Sequence, residues 1–449
     1  MDARDTTKDN LELLRQQLEG GRMRSARVMV NSLHPSEVAR LLESLPRKKR
    51  AMLWEIVDSE NEGDVLVEVS DEVRDGLIEG MQTEDLIAAT EGMEVDDLAD
   101  LLVDLPEAVT QKVLQSLDKQ DHERVKQVLA YDEESAGGLM NVDIVTVRPD
   151  VTLEVVARYL RFVGEIPDGT DSIFVVNRNN SYIGSLFLSK LLTSDPEEMV
   201  ANVMSTEVMP IRANTASTQV VWEFENRDLL SAPVVDDEFH VLGRITVDDV
   251  VDVIRDEAEH ALMSAAGLDE EEDMFAPVFQ SAGRRALWLG VNLCTAFLAA
   301  AVLDQFKTTL DTIVLLAVLM PVVPSMGGVA GIQSLTIITR AIALGQISKD
   351  NAIGIMRKEL MVGLLNGFGW AVVVSVFTYL WFEEWKIGGI IGAAMIINLF
   401  VAALAGFSIP LILKRLNVDP ALAGGVVLTT VTDVIGYATF LGLGAALLL

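Results

Sequence analysis

Thr429-Thr430-Val431-Thr432-Asp433-Val434-Ile435-Gly436 lies inside an apolar run from Pro420 to Leu449 whose one charged side chain is Asp433. Read as one α-helix, the run is long enough to cross a bilayer. Thirteen steps put Asp433 about 20 Å from Pro420, near mid-membrane. A lone carboxylate at that depth is costly and normally faces a bundle interior or a water-filled path. Gly425 and Thr429 precede it by eight and four residues, and Gly436 follows by three, making a small, polar face. Oxygen groups on a narrow face suit a hard cation. Two readings compete, an ion path and a buried acid bonded to another helix for stability. Depth favours the path.

Four more apolar runs precede this one, giving five candidate spans: 285–303, 312–339, 353–382, 387–413 and 420–449. With a cytoplasmic N-terminus, the inner flanks hold Arg284, Arg285, Arg340, Lys349, Arg357, Lys358, Lys414 and Arg415. The outer loops hold only Lys307 and Lys386, so the positive-inside rule places the C-terminus outside. Span two carries Pro321 and Pro324 before Gly327, Gly328 and Gly331. Prolines and glycines at this depth loosen a helix and free carbonyls, which is tolerated where protein or a cavity shields them. The Gly327/Gly331 spacing also permits close helix packing, so a packing role competes. Span four contributes a polar Asn398 and ends near Pro410.

The charge is divided sharply. Of a formal net −32, the residues before Arg284 hold 25 basic and 59 acidic side chains, a formal −34; the remainder hold 10 and 8. Such a surface argues against nucleic acid as a partner and for multivalent cations. The single cysteine, Cys294, excludes an intrachain disulfide and a thiolate zinc cluster. The N-terminus is polar and has no signal-peptide pattern, so the front half is expected in the cytoplasm.

Residues 1–136 read as helical, with apolar residues at 3.6 spacing such as Val38, Leu41, Leu42 and Leu45. The stretch Glu37–Pro46 is repeated at Asp97–Pro106, which suggests stacked helix pairs in a small superhelical domain. After Ser135-Ala136-Gly137-Gly138-Leu139-Met140, two blocks follow with the same order of strand, helix, two short apolar strands and closing helix. They resemble a tandem CBS pair. The second block has Gly243-Arg244-Ile245-Thr246-Val247-Asp248-Asp249, where the resemblance implies that Thr246 and Asp249 hold the ribose of an adenine nucleotide such as ATP. The first block has Leu186-Phe187-Leu188-Ser189 there and lacks the acid.

An acidic helix comes next. Asp248, Asp249, Asp252, Asp256, Glu257 and Glu259 lie within twelve residues, and Asp269-Glu270-Glu271-Glu272-Asp273 follows. Like charges crowded on one helix repel, and a cation shared with another acidic surface, for example near Asp96 and Asp97, would relieve this. A plain solvated face is the competing reading.

These residues together resemble the MgtE family of bacterial magnesium channels and transporters along nearly the whole chain. The likeness rests on Ser135–Met140, on Gly327-Gly328 with Gly331 and Gln333, on Asn398 to Pro410, and on Asp419-Pro420-Ala421 leading to Thr429–Asp433. It implies a homodimer in the bacterial inner membrane, serving magnesium homeostasis, with its pore on the dimer axis. It implies hydrated Mg2+ at Asp433, a path lined by Gly327, Gly328, Gly331, Asn398, Gly425, Thr429 and Gly436, and an acidic plug helix held shut by cytosolic Mg2+. Val329 stands where the family often has Asn. Magnesium favours octahedral oxygen ligation and gives up water reluctantly. All four histidines, which nickel or cobalt would favour, lie outside the membrane part.

The expected architecture is multi-domain: an α-helical superhelical N-domain at 1–136 and an α/β CBS pair at 137–200 and 201–247. A linking helix follows at 248–283, and a five-span pore domain at 284–449. The residues leave open a CBS-regulated transporter of another solute, and a membrane-anchored sensor that moves nothing. They do not separate channel from coupled carrier. No enzymatic constellation is visible.

Overall fold

The computed structural model describes residue 13 and residues 22–449, except 92, 104, 165, 168, 269–273, 344, 349 and 417. The second acidic run, Asp269–Asp273, lies outside the described residues, as do Asp104 of the repeat and Lys349 of the inner flank. The chain forms two compact units, one running to Ala258 with a short piece at 273–276, the other comprising 259–272 and 277–449.

The first unit begins with short helices: α1 Met23–Val30, α2 Pro35–Glu43, α3 Arg47–Trp54, α4 Ser59–Glu68, α5 Asp71–Ile78, α6 Thr83–Ala89, α7 Val95–Val103, α8 Glu107–Ser116 and α9 Lys119–Val128. The repeat is structural. Val38, Ala39, Leu41, Leu42 and Leu45 are buried, and so are Leu98, Ala99, Leu101, Leu102 and Leu105. Each buried Leu contributes roughly 1.5–3 kcal/mol. Pro46 and Pro106 cap the helices that follow, α3 and α8, where a missing N–H costs no intrahelical bond.

The glycines of Ser135–Met140 explain themselves by contact. A Cβ on Gly138 would sit 2.6 Å from the Asp132 carbonyl oxygen, and one on Gly137 would overlap the Tyr131 ring. The Ala136 and Gly137 amides donate to the Thr215 and Ala213 carbonyls, tying this segment to the second CBS block.

The two blocks are built alike. Strands β1 Thr146–Val147, β2 Ser172–Val176 and β3 Tyr182–Phe187 form one sheet, with α10 Leu153–Val163 between β1 and β2. Strands β4 Ile211–Arg212, β5 Ser231–Val235 and β6 Val241–Thr246 form the other, with α11 Leu188–Thr193 and α12 Val200–Val203 before it and α13 Ser217–Arg227 between β4 and β5. In each, the first pair is parallel and the second antiparallel, with a register shift at Val175/Val176 and at Val234/Val235. Each sheet also receives a residue from the approach to the other block: Asn141 pairs with Arg244, and Ser205 with Ser185.

The acidic helix α14 covers Val247–Ala265. It stops before Gly267, whose φ of +69° suits a helix end. The segment expected as one helix over 248–283 is therefore helical to Ala265 and again from Val278.

In the second unit, α15 Val278–Gln305 is the first span and packs on the last helix. Short α16 Lys307–Thr312 and α17 Val314–Leu319 lead to α18 Val322–Ala343, α19 Ala352–Phe382, α20 Trp385–Arg415 and α21 Pro420–Leu448. Among the described residues, five helical segments are long and apolar enough to cross a membrane. A 31-residue helix such as α20 is roughly 46 Å long, ample for a hydrocarbon layer of about 30 Å. Large apolar side chains such as Phe297, Leu365 and Trp381 point outward, as a lipid solvent requires. Span two breaks at Met320–Pro321, because Pro321 and Pro324 have no N–H to offer the carbonyls of Ala317 and Met320.

Candidate functional site

Helix α21 is capped by Asp419, whose carboxylate accepts from the Ala421 and Leu422 amides at 2.8 and 3.3 Å. His260 Nε2 of α14 lies 3.3 Å from the same carboxylate. One face of α21 is packed: Gly424, Leu428, Thr432, Gly436 and Phe440 are buried, four residues apart. Asp433 lies beside that face and is half-buried. Among the described residues its carboxylate has no hydrogen-bond or ion-pair partner, so the reading of it as an acid bonded to another helix finds no partner here. Thr429 Oγ1 donates to the Gly425 carbonyl at 2.9 Å, and Thr430 Oγ1 to that of Val426 at 2.8 Å. Hydroxyls that donate inward keep their lone pairs for an outside ligand.

The other residues expected along the path divide into two groups. Gly425 opens on space, and a Cβ on Gly328 would meet only Thr432 Oγ1, at 3.8 Å. Gly327, Gly331 and Gly436 are packed. A Cβ on Gly331 would press on Leu428 at 2.9 Å, one on Gly436 would lie 2.9 Å from Pro324, and one on Gly327 would overlap the Asn398 amide. Asn398 is fully buried and donates from Nδ2 to the Val323 carbonyl at 2.8 Å.

The membrane unit holds a second buried acid that sequence reasoning passed over. Glu359 of α19 is 4% exposed and accepts from Ser334 Oγ of α18 at 2.8 Å. It directly follows Arg357 and Lys358, so it reads in sequence as part of the charged inner flank. Its position about 10 Å into the helix from Ala352 was the available signal.

Several of the acids expected to be regulatory gather in the first unit where α7 meets the start of α14. Asp96 is buried, its Oδ1 has no hydrogen-bond partner among the described residues, and its pKa is pushed up to about 8 by burial and then by Asp249, Asp97 and Glu94. Burial, Glu94, Asp249 and Asp252 push Asp97 up to about 7. Asp249 is raised to about 6 by burial, against the hydrogen bonds it receives from Thr246. Those bonds, from the Thr246 amide and Oγ1, measure 2.8 and 2.9 Å. The structure thus brings Asp96, Asp97, Asp249 and Asp252 together. Asp248, Asp256, Glu257 and Glu259 are exposed along α14. Arg255, on the same helix, pairs with Asp252 and Asp256 at 3.4 and 3.5 Å and relieves part of the expected repulsion. Among the described residues no three His, Cys, Asp or Glu side chains converge tightly enough to hold a metal ion. The acids form a like-charged interface rather than a preformed cage.

At the nucleotide motif, Thr246 is buried beside Arg244, whose Nη1 donates to Thr170 Oγ1 at 2.9 Å. Ser231 Oγ donates to Asp171. Hydrogen bonds thus join polar groups of the two CBS blocks here, Thr170 to Arg244 and Asp171 to Ser231.

Comparison with known proteins follows the same divisions. The family description "MgtE: Divalent cation transporter" matches residues 320–443. The MgtE intracellular N domain matches 33–134, and the CBS domain matches 136–196 and 200–256. The chain is 30% identical to the magnesium transporter MgtE of Thermus thermophilus over 444 residues, covering 97% of this chain and 98% of that one. It is 26% identical to the Bacillus subtilis protein of the same name, over 96% of this chain and 95% of the other. Among solved structures, the cytosolic domain of the Mg2+ channel MgtE in complex with ATP aligns at a TM-score of 0.50 and 30% identity, over 54% of this chain and 98% of that one.

Proposed function

The chain belongs to the MgtE family of magnesium transporters, a multi-pass membrane family, and on that premise we propose that it imports Mg2+ through a path at Asp433, gated by cytosolic Mg2+. The observation that carries the conduction step is the Asp433 carboxylate, placed within an apolar helix and without a protein partner among the described residues. One carboxylate with nearby hydroxyl lone pairs suits an ion that keeps most of its water. A single such acid makes a sparse site, so two copies of the chain, related by a two-fold axis near Asp433, complete it. The distribution of basic flanks supports a cytoplasmic N-terminal unit and an outer C-terminus.

Gating rests on the like-charged interface. Mg2+ among Asp96, Asp97, Asp249 and Asp252, and along Asp248, Asp256, Glu257 and Glu259, screens the repulsion between α7 and α14 and favours the closed arrangement. The orphaned Asp96 oxygen and the all-carboxylate donor set fit a hard cation. The ion must bind the closed state better than the open one, or it shifts nothing. A second reading, adenine nucleotide binding, is favoured by Thr246 and Asp249 beside Arg244, and the solved relative was crystallised with ATP. The test is Mg2+ uptake into liposomes with and without internal Mg2+. D433A is expected to lose uptake while remaining a folded dimer; wild-type uptake by that variant would remove Asp433 from the mechanism.

A further inference from the structure

Asn398 is a polar amide at the centre of the membrane unit, fully buried between Met395, Leu399 and Ala402 of its own helix, which are also buried. A leucine is of similar size and would carry no desolvation cost there. The amide must therefore give something that packing alone does not. Its Nδ2 reaches the Val323 carbonyl, in the first turn of α18, immediately after the break at Met320–Pro321. On that side Gly327 leaves room for it, since any Cβ there would overlap the amide. On the other side Gly436 of α21 does the same, where a Cβ would lie 3.1 Å from Nδ2. Gly436 is three residues from Asp433, less than one helical turn. Asn398 Oδ1 is buried and, among the described residues, has no hydrogen-bond partner. One amide thus touches the restarted helix of span two and the turn that carries the cation-binding acid.

We propose that Asn398 is a positioning residue, which holds the first turn of α18 against the Asp433 turn of α21 and so fixes the geometry of the cation path. This rests on the conduction reading above. The amide does not itself touch the ion. It supplies a directional contact at a junction where two prolines offer no amide to the preceding turn, and adds it to the non-directional packing of buried Val323 and Pro324.

The test uses the full-length protein in liposomes, with three variants and two readouts, Mg2+ uptake and hydrogen exchange of the amides around 317–327. N398L is expected to stay folded, to lose protection in that segment, and to take up Mg2+ about tenfold to a hundredfold more slowly, the usual cost of a small misplacement in a site. N398D keeps the shape and loses the donor when ionised. Its uptake relative to wild type should recover as pH falls and the introduced carboxyl regains a proton, a profile N398L cannot show. D433A should lose uptake with exchange at 317–327 unchanged. Wild-type uptake and exchange in N398L would overturn the proposal. Should N398L not fold, a pH-independent ratio in folded N398D would overturn it equally. Loss of uptake with unchanged exchange would also overturn it. If the wild type carries no Mg2+ while N398L still loses protection, the conduction reading fails and the positioning role stands.

Discussion

Asp433 and Asp96 are both acids withdrawn from water, but in opposite company. Among the described residues, Asp433 stands on its helix with no hydrogen-bond donor or ion-pair partner. Asp96 is packed among Asp97, Glu94 and Asp249, and its pKa stands at about 8. The first acid is available to a cation whenever one arrives. The second is comfortable only with a proton or a cation beside it. A lone acid makes a place for an ion to pass, whereas a crowd of acids makes an arrangement that depends on whether ions are present.

Loss of all uptake in D433A is the largest effect expected, and its absence would break the comparison outright. Next comes the crowd. Neutralising Asp248, Asp249, Asp252, Asp256, Glu257 and Glu259 together should uncouple uptake from internal Mg2+. Proteolysis of the segment from 248 to 275 should then lose its protection by rising Mg2+. Identical protection curves in wild type and variant would show these acids to be a solvated face.

A smaller and sharper test is the proton. An acid whose pKa is raised by packing binds its proton more tightly when packed, so the packed form is favoured at low pH. That contribution is full below the ordinary value of 3.8 and is lost as pH rises through about 6, 7 and 8 for Asp249, Asp97 and Asp96. In Mg2+-free buffer, protection of α14 should therefore fall between about pH 4 and 8. D96N should flatten the upper part of that fall and raise the melting temperature at pH 8. An unchanged profile would mean that α7 and α14 do not separate.

The smallest effect concerns Glu359, the buried acid that does have a partner. Its bond to Ser334 can be kept by an amide, so E359Q should leave Mg2+ uptake within about threefold of wild type, and S334A should cost about 1 kcal/mol of stability. A loss of uptake in E359Q as deep as in D433A would put a second charge in the path.

The helical front, the two strand-helix blocks and the five apolar spans were legible in the sequence because each depends on local pattern. Apolar run length, a single acid in such a run, a repeated Leu-Leu-x-x-Leu-Pro and a strand-turn-strand signature all survive without knowledge of packing. What could not be read depends on which helix lies opposite. Gly327 and Gly331 look alike in sequence, yet one accommodates an amide and the other a leucine. Asp248 and Asp249 are neighbours, yet only Asp249 turns back to Thr246 and lies near Asp96. Glu359 was hidden by its basic neighbours. Arg255 sits among the acids of α14, and its pairing with Asp252 and Asp256 is a contact that a charge total does not reveal.

The exchange between the two CBS blocks has an evolutionary side. Asn141 lies against the β6 strand of the second block and Ser205 against the β3 strand of the first. Gly243 and Gly184 stand at equivalent places, where a Cβ would lie 2.6 Å from the Asn141 carbonyl oxygen and 2.7 Å from that of Ser205. Whatever ancestral duplication produced the pair, its descendants are now mutually obligate. A gene that lost either half would leave the survivor with an uncovered sheet edge and a glycine facing nothing. The sequences of the two halves can drift apart, as Thr246-Val247-Asp248-Asp249 and Phe187-Leu188-Ser189-Lys190 have done, while each still covers the other's sheet.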